Sequence, residues 1–329
     1  MRKRLVCFLL AAAMLLAAPP AQAAEDDFIR WVDFNLTAEA MERAIALEQR
    51  LREKEIPVSW LDILALGSVR SGGKRFSAKD AEKAAAELSK GVSPEELLGA
   101  QYRYFDYYKK TYEAALGGLV GCYAVETTDA ETGEKSWKPV YGVKAFSPIA
   151  EGYRYAHYRD FGSSRSFGFQ RRHLGNDLLG SLGTPIVAVE GGTVEALGWN
   201  RYGGWRVGIR SFDQKRYYYY AHLRKDCPFA PGLQVGDTVN AGDIIGYMGR
   251  TGYSTKENTN NIQQVHLHFG IELIFDEERR RGGQEIWINA YPIVELLRQH
   301  PVTVVRDETT GCYRRAYAYV DLDREPLPE

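Results

Sequence analysis

Two of the chain's six histidines, His266 and His268, stand one residue apart in the run VHLHFGIEL, Val265 to Leu273. On an extended strand alternate side chains share a face. The two imidazoles and Gly270 then point one way, and Leu267, Phe269 and Ile271 the other. The apolar set is the natural core side, which leaves both histidines on the wetter face, roughly 6–7 Å apart and within reach of a common site. The spacing fits two metal ligands, a base with its partner, or polar packing residues, and does not choose among them.

A second group is His173-Leu-Gly-Asn-Asp177. Fully extended it spans about 13 Å, too far for the imidazole and the carboxylate to share a metal. Gly175 permits a bend that folds Asp177 back toward His173. Taken alone, the motif reads more readily as a surface turn with a stray histidine. The third group is Tyr217 to Tyr220, then Ala221, His222 and Leu223. A strand there places Tyr218, Tyr220 and His222 on one face. Cross-strand stacking explains the tyrosines without any function, and His222 alone would be structural. Together the three groups supply four histidines and one aspartate. A catalytic zinc takes three protein ligands and keeps one position for water. The two surplus groups are what hydrolysis needs to move protons and stabilise an oxyanion. His157, in YRYAHYRDF, and His300, before Pro301, fit no such spacing and read as structural.

The elements that must position these groups divide the chain in two. Residues 24–118 read as a helical domain. LTAEAMERAIALEQRLREKE carries apolar residues at helical spacing, and Ser77 opens a second helix that Gly91 closes. Ser93-Pro94-Glu95-Glu96 is a capping box with proline at the first helical position. The helix it starts carries Tyr104, Tyr108 and Tyr112 on one stripe, which reads as core or interface. From about 119 the pattern changes to short β-branched and aromatic runs between glycine turns, as in GTPIVAVEGGTVEALGW, GGWRVGIRSF and QVGDTVNAGDIIGYMG. That is antiparallel β-rich chain. Asp307 to Gly311 reads as a late hairpin turn, with residues 306–329 a C-terminal strand and tail. The fold class is α+β, an all-α region followed by an antiparallel sheet-rich domain over 119–305.

The first 23 residues read as a signal peptide. Arg2, Lys3 and Arg4 precede the apolar stretch Leu5–Ala18, Pro19 and Pro20 break it, and Ala21-Gln22-Ala23 offers a cleavage site. The chain is therefore expected to be exported to the periplasm, cell wall or medium, with no stable membrane anchor. Cleavage would leave 39 basic against 43 acidic residues, a net −4, so no basic field argues for nucleic acid. Export permits disulfides. Cys122 and Cys312, each in Gly-Cys-Tyr, are the candidate pair, with Cys227 left over.

The ordered motifs resemble the lysostaphin/LytM family of zinc endopeptidases. They are His173 to Asp177, the Tyr220-Ala-His-Leu223 strand, Val235-Gly-Asp237 through Ala241-Gly-Asp243 to Gly246, Gly249-Arg-Thr-Gly252, and His266 to Phe269. Gly183 to Gly192 matches the strand and turn after the first motif. The resemblance covers roughly residues 140–300 and does not extend to the helical region. It implies a duplicated hybrid motif fold, one zinc ion and bacterial peptidoglycan peptides as substrate. It carries over His173, Asp177 and His268 as zinc ligands and His222 and His266 as the catalytic pair beside the metal. One departure is the segment Tyr253–Val265, longer and more polar than in many relatives. Its Asn258, Asn260, Asn261, Gln263 and Gln264 suit either a groove-lining loop or a solvated one.

The expected function is a secreted zinc endopeptidase of peptidoglycan stem or cross-bridge peptides. One alternative is a catalytically silent relative that binds the wall or activates another hydrolase; such relatives usually lack a site residue, and all five are present. A second is a metal-free sugar-phosphotransfer module with paired histidines. Export and an idle Asp177 argue against it.

Overall fold

The computed structural model describes residue 32 and residues 34–328, so the expected signal peptide and cleavage site lie outside the described residues. Helices α1 (Ala38–Arg52), α2 (Trp60–Arg70), α3 (Ala78–Leu88), α4 (Pro94–Leu98) and α5 (Tyr102–Leu116) come first. Their starts are written in side chains that satisfy orphan amides. Thr37 Oγ1 accepts from the Ala40 amide at 3.1 Å, and Ser93 Oγ accepts from the Glu96 amide at 3.2 Å with Pro94 in the first turn. The Ser77 amide donates to the Asp80 carboxylate at 3.0 Å. One helix was not read from the sequence, and another differs from its reading. α2 carries no polar stripe: Trp60 and Ile63 through Ser68 are buried because it runs through the middle of the bundle. The helix from Ser93 breaks at Gly99, whose φ of +50° suits glycine, and restarts as α5. The tyrosine stripe is graded: Tyr112 is buried against Ser68 Oγ at 2.7 Å, whereas Tyr104 is exposed.

β1 (Val120–Thr128) and β2 (Lys135–Val143) form a hairpin after α5. The short strands β3 (Ala156–His157), β4 (Ser164–Ser166) and β5 (Gln170–Arg172) lead into β6 (Asn176–Leu179). β7 (Pro185–Val187), β8 (Gly192–Asn200), β9 (Gly204–Ser211) and β10 (Arg216–Ala221) follow. Next are β11 (Thr238–Val239), β12 (Ile244–Tyr247) and β13 (His266–Leu273), then α6 (Glu277–Arg281), β14 (Ile286–Ile288) and α7 (Tyr291–Leu297). β15 (Val304–Arg306) and β16 (Tyr313–Arg315) make the late hairpin around Asp307–Gly311, and β17 (Tyr319–Asp321) pairs antiparallel with β1.

The main sheet has the antiparallel order β11-β8-β9-β10-β13-β6-β3, with β14 also on β13. Leu267, Phe269 and Ile271 of β13 are fully buried. Their core is continuous with Leu64, Phe105 and Leu116 of the helices. Arg216 fastens the two parts polarly. Fully buried, it donates from Nη1 to the Ala114 carbonyl (2.7 Å) and the Glu113 carbonyl (3.2 Å) at the end of α5, and from Nε and Nη2 to Glu190 (2.8 and 2.9 Å). Tyr218 adds a 2.6 Å bond to the same carboxylate. Cys122, Cys227 and Cys312 are all free thiols, so the Cys122–Cys312 bridge is absent. The two cysteines lie on different small sheets: Cys122 is inside β1, and Cys312 precedes β16.

Candidate metal centre and catalytic site

β13 is the spine of the site because it pairs on both sides. His268 lies opposite Ala221 of β10 and opposite Asp177 of β6. The strand's alternation turns His266 and His268 away from the core, as its pattern requires. The segment before β6 then brings His173 alongside: its Nε2 is 3.0 Å from Asp177 Oδ1 and 2.7 Å from His268 Nδ1. Gly175 makes this possible, through space rather than an unusual φ. A Cβ there would come 2.7 Å from both the His268 ring and the Phe269 carbonyl.

His222 reaches the site by a route that strand alternation does not give. β10 ends at Ala221, and His222 has φ +63°, a strained value for a non-glycine residue. That reversal separates its side chain from Tyr218, which stacks on Phe269 in the core, and from Tyr220, which packs tilted against the same ring. The expectation that the three share one face is therefore corrected. Tyr219, on the opposite face, packs edge-on to His268 at 5.7 Å between ring centres. Nδ1 of His222 lies 2.9 Å from the Thr251 carbonyl, and Nδ1 of His266 lies 3.0 Å from the Gln264 carbonyl. A carbonyl can only accept, so each Nδ1 carries a proton, and in the neutral form of either ring the lone pair lies on Nε2. The two rings are 4.7 Å apart.

His173, Asp177 and His268 can each offer one ligand atom, all within 4.8 Å of one another. Two imidazole nitrogens and a carboxylate oxygen are a donor set that suits zinc. Burial opposes a charge on His173, but Asp160 and Asp177 outweigh it and hold its pKa up at about 9. Burial presses His222 well below the ordinary histidine value, helped by His266 and His268, and burial also lowers His268. Burial pushes Asp177 toward protonation, yet His173 and His268 beside it hold the carboxyl far below its ordinary range.

All five residues singled out in the sequence line one cavity, together with Arg165, Arg171, Tyr202, Tyr219 and Tyr253. His157 and His300 do not line it. His157 stacks on Tyr291 and bonds Glu295 at 2.8 Å, and the His300 carbonyl accepts from the Ser147 amide at 2.9 Å. Sequence reasoning missed Asp160, whose Oδ2 lies 3.3 Å from His173 Nδ1 while its Oδ1 accepts the Asp177 amide at 3.2 Å. It also missed Arg165, which bonds Asp160 at 2.6 Å and Asp177 Oδ2 at 3.0 Å, leaving Oδ1 toward the histidines. Nothing in local spacing marks either residue. Of the polar segment 253–265, only Tyr253 lines the cavity. Asn258 instead bonds Trp205 Nε1 (2.9 Å) and Asp226, and Asn261 bonds the Tyr253 carbonyl, so these amides hold loops together.

Residues 171–281 match the Peptidase family M23 model. That stretch is similar to the M23 peptidases. The L-Ala--D-Glu endopeptidase of Bacillus subtilis is 39% identical over 124 residues, covering 38% of this chain and 36% of that protein. Lysostaphin of Staphylococcus simulans is 39% identical over 98 residues, covering 30% of this chain and 17% of that protein. The chain thus spans about a third or less of the length of these relatives. A crystal structure of lytM from Ruminococcus gnavus superposes with a TM-score of 0.51 at 23% identity, covering 83% of this chain and 93% of its own, a likeness of fold. The helical region followed by the antiparallel sheet is the α+β arrangement read from the sequence.

Proposed function

We propose that the protein is an exported zinc endopeptidase that hydrolyses peptide bonds in peptidoglycan stem or cross-bridge peptides. One observation carries this reading. Three ligand atoms converge within 4.8 Å, with two further imidazoles beside them. The M23 match and the names of the relatives support the substrate class.

His173, Asp177 and His268 would hold the ion, with Asp160 orienting His173 and Arg165 engaging the second Asp177 oxygen. Zinc, when bound, supplies Lewis acidity to the scissile carbonyl and to water. His222 and His266 each present an Nε2 lone pair to the cavity. A neutral imidazole can take the proton of the attacking water; once charged, it can donate to the oxyanion or to the departing amine. Burial keeps His222 neutral and ready to accept.

The test pairs His268→Ala with His266→Ala in the full-length protein. Metal analysis and release of peptide fragments from purified sacculi are read together. His268→Ala is expected to lose zinc and turnover, whereas His266→Ala loses turnover and keeps most of its zinc. Loss of zinc in both would overturn the division of roles. No fragment release by the zinc-loaded parent would overturn the enzyme reading.

A further inference from the structure

We propose that Arg171 forms an anion subsite at the mouth of this cavity, so that the preferred substrate carries a free carboxylate on a residue flanking the scissile peptide bond. This rests on the endopeptidase reading above and adds to it the class of peptide.

β4 and β5 form a hairpin in whose register Arg165 lies directly opposite Arg171. Like charges opposed across an antiparallel pair destabilise it, so each needs compensation. Arg165 is compensated by Asp160 and Asp177. Arg171 is not: no carboxylate of the described residues pairs with it, and its Nε is buried without a hydrogen-bond partner. It is nevertheless held in place. Its Nη2 donates to Tyr253 Oη at 2.8 Å, and its guanidinium lies 5.4 Å from the Tyr202 ring centre and 5.5 Å from that of Tyr253. The hairpin tip locks that frame. Phe167 stacks on Tyr253 at 5.2 Å, and Phe169 meets Tyr202 edge-on at 5.9 Å.

A fixed, unpaired guanidinium beside aromatic rings and lining the catalytic cavity is built to meet an anion. The anion that peptidoglycan stem peptides offer next to a peptide bond is a carboxylate, such as the free α-carboxylate of a γ-linked glutamyl residue. A glycine-only bridge offers none at that position. An incoming carboxylate would complete the ion pair that the hairpin lacks and orient the peptide across the site.

The experiment uses two synthetic stem peptides that differ only in that group, carboxylate against carboxamide. Intact zinc-loaded protein is expected to cleave the acid with a kcat/KM at least tenfold above the amide. Arg171→Gln should bring the ratio to near one, with Arg171→Lys retaining part of it. Arg172→Gln, on the exposed outer side of the same hairpin, should leave the ratio intact. A parental ratio below twofold, a ratio unmoved in Arg171→Gln, or an equal collapse in Arg172→Gln would each overturn the subsite. Calorimetric binding of the same two peptides to full-length His266→Ala separates the two proposals. If the parent cleaves neither peptide, the endopeptidase reading fails. The subsite still stands on at least tenfold tighter binding of the acid that Arg171→Gln abolishes, and falls if the two peptides bind alike.

Discussion

The junction between helices and sheet and the histidine-lined cavity each hold an arginine in a different setting. At the junction, Arg216 is fully buried and every direction it can donate is answered, by Glu190, by two carbonyls of α5 and by Asp213. At the cavity, Arg171 is framed by aromatic rings, and no carboxylate of the described residues pairs with it. A polar network that serves stability is closed, because an unsatisfied buried group is costly. The proposed anion subsite is instead open on the side where a carboxylate would arrive.

Breaking the closed network should give the largest change. Arg216→Ala leaves Glu190 buried without its partner and should destabilise the fold by about 3–5 kcal/mol, measured by urea unfolding. A change below about 1 kcal/mol would mean that Tyr218 and solvent suffice for Glu190. Replacing both partners with apolar residues, Arg216→Met with Glu190→Leu, should recover much of that loss, since a buried ion pair is often matched by a well-packed apolar pair. On the open side, Asp160→Asn removes the carboxylate behind His173 and should weaken zinc binding about 10–100-fold, read by competition with a chelator. Unchanged affinity would remove Asp160 from the support of the centre. The smallest effect is local. Thr37→Ala removes the α1 cap and should cost about 1 kcal/mol in the melting of the whole chain, with zinc affinity unmoved.

Legibility in the sequence followed the range of the interactions involved. The helix starts at Ser77 and Ser93 and the hairpin turn at Asp307–Gly311 were readable because capping and turn chemistry acts within four residues. α2 was not, because its all-round burial comes from neighbours on every side and leaves no periodic stripe. The five residues singled out for the site were visible as ordered motifs, and the structure brings all five to one cavity. Asp160, Arg165 and Arg171 were invisible. Their meaning lies in β4–β5 register and in packing against strands distant in sequence.

By itself the sequence determined that His266 and His268 share one face of a strand whose other face is core, since alternation is a property of the extended backbone. It also determined that His173 and Asp177 could be folded together at Gly175. Only the tertiary structure decided that His222 turns into the site through a left-handed backbone and that Asp177 lies opposite His268. It likewise decided that one hairpin arginine is neutralised while its partner is not. Pairing between strands distant in the chain, and the charges it sets side by side, are written in no local window of residues.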